Sequence, residues 1–207
     1  MDIRELIAAE RRDLADVLDG LGDGQWDAPS LCAGWRTREV AAHITMPFRP
    51  VPEDFAAEMQ RAAGDVERIN RVLDEAARRD AAKVPAAELV AALRDNAETD
   101  WAPPGGDLVA AFNHDVIHGL DITVALGVDR RVPRDRMRVI LDGLQPHAVA
   151  FFGVDLTGIE LRADDLDWSY GEGEPLTGAA QDLLLVICGR RLPAGHLRGR
   201  DAARFTA

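Results

Sequence analysis

The stretch Phe112-Asn113-His114-Asp115-Val116-Ile117-His118-Gly119-Leu120-Asp121 decides how this 207-residue chain folds. His114 and His118 are four residues apart, a little more than one helical turn, so on a helix both imidazoles leave the same side and offer two nitrogens to one metal ion. The chain has five histidines. A third, His43, lies in another apolar stretch, Val40-Ala41-Ala42-His43-Ile44, where a ligand makes better sense than a solvent-facing group. A lone His pair at this spacing is most often coincidence or surface. The third histidine in an apolar setting supports a single metal site made by His43, His114 and His118.

Outward from that stretch, helices are expected through most of the first three quarters. Ile3, Leu6, Ile7, Leu14, Val17, Leu18 and Leu21 recur at helical spacing until Gly22 and Gly24. A loop with Trp26, Pro29, Ser30, Gly34 and Trp35 follows. Thr37 is then placed to cap a second helix that carries His43 and ends before Pro47. From Pro52 to about Ala82 a helix is expected with Phe55, Met59, Val66, Ile69 and Val72 inward, and Pro85 opens another through Leu89, Val90 and Leu93. After the Pro103-Pro104-Gly105-Gly106 turn, the helix of the His pair should run from about Asp107 to Leu126 and close at Gly127, and a further one from Pro133 or Arg134 to Phe151. Long helices joined by short loops predict an antiparallel helical bundle over residues 1–154.

The last quarter has a different period. Ile159, Leu161 and Ala163 alternate with Glu160, Arg162 and Asp164, and Leu166, Trp168 and Tyr170 with Asp165, Asp167 and Ser169, the spacing of short strands. Gly171 to Pro175 reads as a turn, and Thr177 as the cap of an apolar helix from Ala179 to Cys188 that stops at Gly189. Residues 155–207 are therefore expected to form a small α+β appendage, and the fold class is mainly α.

Composition limits the function. With 47% hydrophobic residues the chain can bury a full core. A formal charge of -12 argues against nucleic acid, whose phosphates are held by clustered cations. Met1-Asp2-Ile3-Arg4-Glu5 does not look like a secretory leader, and no run approaches the ~18 apolar residues of a membrane span, so a soluble cytoplasmic protein is expected. Cys32 and Cys188 are too few and too far apart for a disulfide scaffold and are expected to be reduced thiols. Monomer and homodimer both remain open.

Neutral imidazoles from two helices suit a borderline-soft divalent ion, Zn²⁺ foremost, and three protein ligands leave a fourth position open, as in catalytic sites. Such an ion lowers the pKa of a bound water to ~7 and deprotonates a coordinated thiol. Asp121, three residues after His118, could orient a ligand histidine or bind substrate, and could equally be an exposed polar residue. Asp115 projects about 100° from His114 and is expected to face solvent, with a carboxylate-ligand role as the alternative. Arg190 and Arg191 complement the dipole of the preceding helix, and a clamp on a substrate carboxylate is the sharper reading of Arg190. Trp26 and Trp35 read as core anchors, Cys32 as a buried small residue without an adjacent base, and His147 and His196, which have no partner at metal-ligand spacing, as ordinary surface or helix-end residues. Ser30 lacks the G-x-S-x-G frame of a nucleophile.

The run Trp26-Asp27-Ala28-Pro29-Ser30-Leu31-Cys32-Ala33-Gly34-Trp35-Arg36-Thr37-Arg38-Glu39-Val40-Ala41-Ala42-His43 closely resembles the opening motif of the mycothiol-dependent maleylpyruvate isomerase family, within the DinB-like superfamily of metal-binding four-helix bundles. His118-Gly119-Leu120-Asp121-Ile122 with Ala125-Leu126-Gly127 is similar to its second motif, and Gly171 to Gly178 with Asp182-Leu183-Leu184 and Gly189-Arg190 to its small C-terminal domain. The resemblance implies a DinB-like antiparallel four-helix bundle with His43 and His118 as zinc ligands. His114 stands where the isomerase is expected to have Glu, which removes one negative charge. Asp121 and Arg190 would be polar groups near the active site, Arg190 gripping a carboxylate of the substrate or of the thiol cofactor. The implied chemistry is that of mycothiol bound to the metal as thiolate and adding to a small electrophile, giving transfer or, if the adduct collapses after bond rotation, cis/trans isomerisation. A non-catalytic ligand-binding or regulatory module of the same fold, and a metal-dependent hydrolase, are the competing expectations.

Overall fold

The computed structural model describes residues 2–207, apart from the side chains of 147 and 148. The expectation for His147 therefore lies outside the described residues. In chain order the helices are α1 (Ile3–Asp19), α2 (Asp23–Trp26), α3 (Thr37–Thr45), α4 (Glu53–Ala62), α5 (Val66–Lys83), α6 (Ala86–Asp95), α7 (Leu108–Thr123), α8 (Arg134–Asp142), α9 (Pro146–Phe151) and α10 (Ala180–Ile187). The strands are β1 (Ile159–Ala163), β2 (Ser169–Gly171), β3 (Glu174–Gly178) and β4 (Leu197–Arg198). A mainly helical chain with a small C-terminal sheet is the expected fold class. Among the described residues no helix is long and apolar enough to cross a membrane.

The chain divides into two compact units. One holds the chain up to Ser30 together with Gly34–His118, the other Leu31–Ala33 with Gly119–Ala207. In the first, α3 packs on α5 and α6, α1 on α6, and α4 on α5. Asp2 caps α1 by accepting from the Arg4 N–H at 3.0 Å, and Leu6, Leu14, Ala15 and Leu18 form its buried stripe. α3 begins one residue earlier in its capping than the sequence suggests. Arg36 holds the cap position and its backbone N–H donates to Glu39 Oε2 at 2.8 Å, while Thr37 is already helical and wholly buried. The C-terminal end of α3 is closed by Arg49, which donates to the Ala42 carbonyl at 2.8 Å and pairs with Asp80 at 3.0 Å.

The single helix expected from Pro52 to Ala82 is two. Gly64 takes a left-handed φ of +86°, and the Asp65 side chain accepts from the Arg68 N–H at 3.0 Å to start α5 anew. Val66 consequently sits at a helix start and is 52% exposed rather than inward. The buried face of α5 is Ala76, Ala77, Asp80 and Ala81, small or polar residues that carry little weight in a hydrophobic pattern. The helix expected up to Phe151 is likewise broken, because Gly143 ends α8 and Pro146, which has no N–H to donate, opens α9.

In the second unit the strand order is β2-β1-β3-β4, with β1 antiparallel to β2 and parallel to β3, and β3 antiparallel to β4. Ile159 and Leu161 of β1 and Leu176 of β3 point to the buried side, where α10 packs. Thr177 is a strand residue paired with Arg162 and Arg198, not a helix cap; the α10 cap position belongs to Ala179. The turn between β2 and β3 depends on Gly173. Its φ is +136°, and a Cβ there would lie 2.1 Å from the Gly158 carbonyl oxygen. Gly173→Ala is expected to lower unfolding free energy by at least about 1–3 kcal/mol, the usual cost of a non-glycine residue in such a conformation. Urea unfolding checks this, and a variant as stable as the parent contradicts it.

Candidate functional site

The first unit brings the three histidines together. His43 comes from α3 and His114 and His118 from successive turns of α7, and one nitrogen of each lies within 4.8 Å of the others. Ring centroids are 5.0 Å apart for His43 and His114, 4.9 Å for His43 and His118, and 4.7 Å for His114 and His118. The Nε2 atoms of His43 and His114 face each other at 3.0 Å. Two imidazole lone pairs at that distance repel unless a proton or a cation lies between them.

Electrostatics favours neutral donors. Burial, reinforced by the neighbouring His118 and His114, pushes the His43 pKa well below its ordinary value. The His43 Nδ1 is buried with no hydrogen-bond partner among the described residues. His114 Nδ1 lies 3.1 Å from Asp115 Oδ1; a carboxylate accepts, so Nδ1 carries the proton and Nε2 is left with the lone pair. Two ion–nitrogen bonds of about 2.0–2.1 Å at a tetrahedral angle set their nitrogens about 3.3 Å apart, close to the separation seen here. The donor set therefore fits one borderline-soft divalent ion.

Asp115 departs from expectation. It is completely buried, not solvent-facing, and its Oδ2 accepts from Arg11 Nε at 2.8 Å. Two aromatic neighbours flank the histidines. Trp35, half-buried rather than a core anchor, lies 5.1 Å from His43 with its indole N–H donating to Asp74 at 2.6 Å. Trp101 meets His114 edge-on at 5.2 Å. Neither Arg11 nor Trp101 carries a local signal of this role: Arg11 lies among the charged residues of α1, and Trp101 in the loop after α6. Trp26, by contrast, is buried at 4% exposure, as expected of an anchor.

In the second unit Asp121 is buried, and its carboxylate accepts from Arg190 Nε at 2.8 Å and Nη2 at 2.9 Å. This two-point pairing holds the guanidinium plane. Arg190 is aimed by the end of α10, where Gly189 at φ +74° donates to the Val186 carbonyl and the Arg190 N–H to that of Leu185, a Schellman closure. Burial alone would lower the Arg190 pKa, but the hydrogen bonds and charge of Asp121 outweigh it and leave it raised. Arg190 Nη1 donates to the Cys188 carbonyl at 3.1 Å, and Nη2 lies 3.9 Å from Cys32 Sγ. Neither cysteine is in a disulfide; Cys188 is buried and Cys32 partly exposed. His196 Nδ1 lies 3.1 Å from Asp182 Oδ2. Ser30 Oγ donates to the Trp35 carbonyl at 2.8 Å.

The family described as "Mycothiol maleylpyruvate isomerase N-terminal domain" matches residues 7–123. No curated protein sequence matches the chain. Two solved structures, a crystal structure of a mycothiol-dependent maleylpyruvate isomerase and one of a point mutant of it, align with 98% of this chain and 96% of theirs at 15% identity, with TM-scores of 0.45 and 0.43.

Burial pushes the Cys188 thiol up to about 12, Arg190 opposing only in part. The folded thiol therefore keeps its proton while the unfolded one, at an ordinary pKa of about 8.5, loses it. The protonated form favours the fold, so this contribution is complete below about pH 8.5 and fades as pH rises towards 12. Stability of the parent should fall faster between pH 9 and 10.5 than that of Cys188→Ala, measured by urea unfolding; parallel curves contradict this.

Proposed function

Because the chain belongs to the mycothiol maleylpyruvate isomerase N-terminal-domain family, we propose that it is a metal-dependent enzyme that adds mycothiol to a small electrophile. The observation that carries the reading is the convergence of His43, His114 and His118, with the Nε2 atoms of His43 and His114 at 3.0 Å. A divalent cation held by them, Zn²⁺ foremost, supplies Lewis acidity and a lowered pKa for a thiol that reaches it.

The side chains contribute the rest. His43 offers its lone pair without first losing a proton, because burial keeps it neutral. His114 presents Nε2 because Asp115 holds its Nδ1–H. Imidazole ligands bring no negative charge, so a cation held by them would keep its full positive charge to be met by an anion, which favours a thiolate. Trp35 and Trp101 flank His43 and His114 with apolar surface that limits water there. Arg190, fixed in plane by Asp121, is the cation we assign to a carboxylate of the substrate or the thiol.

Bound mycothiol would supply a thiolate sulfur able to bond to an electron-poor alkene carbon, with the π electrons taken up by the conjugated carbonyl. Return of the proton released by the thiol would give a thioether, the transfer outcome; rotation about the new single bond and loss of the thiolate would instead give the trans isomer. Maleylpyruvate, in the family's name, is the first substrate to try.

Metal analysis of the purified protein should return about one divalent ion per chain, and His118→Ala should lose it. Mycothiol-dependent turnover should fall to background in the same variant. A parent with no bound metal, and a variant unchanged in every assay, would sink the proposal. Ester or amide turnover without added thiol would favour hydrolysis instead.

A further inference from the structure

The carboxylate beside His114 belongs to a buried ion pair. Arg11 and Asp115 have completely buried side chains and pair at 2.8 Å. Arg11 Nη1 also donates to the carbonyls of Asn96 at 3.2 Å and Thr99 at 2.8 Å, just before Trp101. Its guanidinium carbon lies 4.7 Å from the Phe48 ring centroid, and Phe48 in turn meets Trp101 edge-on at 6.4 Å. Such a pair is costly to bury, and pairs of this kind can often be replaced by apolar residues without loss of stability. Stability therefore gives a poor reason for placing a guanidinium here.

Geometry supplies a better one. Asp115 accepts from Arg11 through Oδ2 and faces His114 Nδ1 through Oδ1 at 3.1 Å, so the same carboxylate is gripped on one oxygen and orients the ring with the other. The Nε2 of that ring is the atom 3.0 Å from His43. The backbone that Arg11 ties down leads into Trp101, which packs 5.2 Å from the same ring. Both restraints on His114, a hydrogen bond and an aromatic edge, thus trace back to one side chain.

We propose that Arg11 is a positioning residue for the histidine cluster: through Asp115 it fixes the tautomer and rotation of His114, and through the 96–99 backbone it holds Trp101 against the ring. The inference rests on the metal-binding reading of the cluster. Carboxylates that orient ligand imidazoles are typically worth 10–100-fold in metal affinity. The carboxylate here is itself held by a cation, which prevents it from turning away.

The test uses Zn²⁺ as the probe, with affinity measured by chelator competition. Arg11→Met/Asp115→Leu removes both charges together, so no unpaired ion is left in the interior. It is expected to unfold in urea close to the parent yet to bind Zn²⁺ about 10–100-fold more weakly, a loss that a merely structural pair would not produce. A folded double variant that binds within about twofold of the parent overturns the proposal. Should the double variant not fold, long-range ¹H–¹⁵N spectra of the parent decide. His114 protonated on Nδ1 supports the proposal, and His114 protonated on Nε2 overturns it. A parent that binds no Zn²⁺ defeats the metal reading alone, since the tautomer can be read in the metal-free protein.

Discussion

The approach of two imidazole nitrogens to 3.0 Å is the constraint around which the helical unit is arranged. Nothing in that contact is favourable by itself without a shared proton or cation, so the surroundings must hold the rings where they are. α3 does so by burying nearly its whole surface, with Val40, Ala41, Ala42, Ile44 and Thr45 at no more than 1% exposure, and by closing its last carbonyls on Thr45 and Arg49. α7 does so from the opposite side of the cluster, with Phe112, Val116 and Leu120 buried and Asp115 behind His114. Preorganisation of this kind is what separates a ligand set from three nearby histidines.

Much of this was legible in the sequence, and the exceptions have physical causes. The i, i+4 pair His114 and His118 follows from helical periodicity alone, and His43 was marked out by its apolar setting. Asp115 is buried against expectation because an angle of about 100° from the ligand face points to solvent only on a helix with a wet side. α7 has apolar residues buried on several sides, so the off-face position is interior too. Arg11 gave no signal because nothing local separates it from Arg12, which is exposed; its partner lies 104 residues further on.

Element boundaries failed where a single residue overrode the pattern. Gly64 and Asp65 split a run whose hydrophobic spacing looked continuous, and Pro146 did the same after α8. Thr177 suits both a helix cap and a strand, and the parallel pairing of β1 with β3, set by contacts across the sheet, decided between them. The Asp121 and Arg190 pairing joins residues 69 apart, and it rests on the reversal at Gly189, a glycine placed where helices commonly stop.

The distance along the chain between Arg11 and Asp115 also bears on how the protein is made. On a ribosome the N-terminal helix emerges early, and for the next 104 residues its guanidinium lacks the carboxylate that makes its burial tolerable. Until α7 is synthesised, α1 is better left hydrated than docked. Final closure of the helical unit is thereby coupled to arrival of the segment that bears two of the three histidines, so an early product truncated before that segment has little reason to adopt a settled interior.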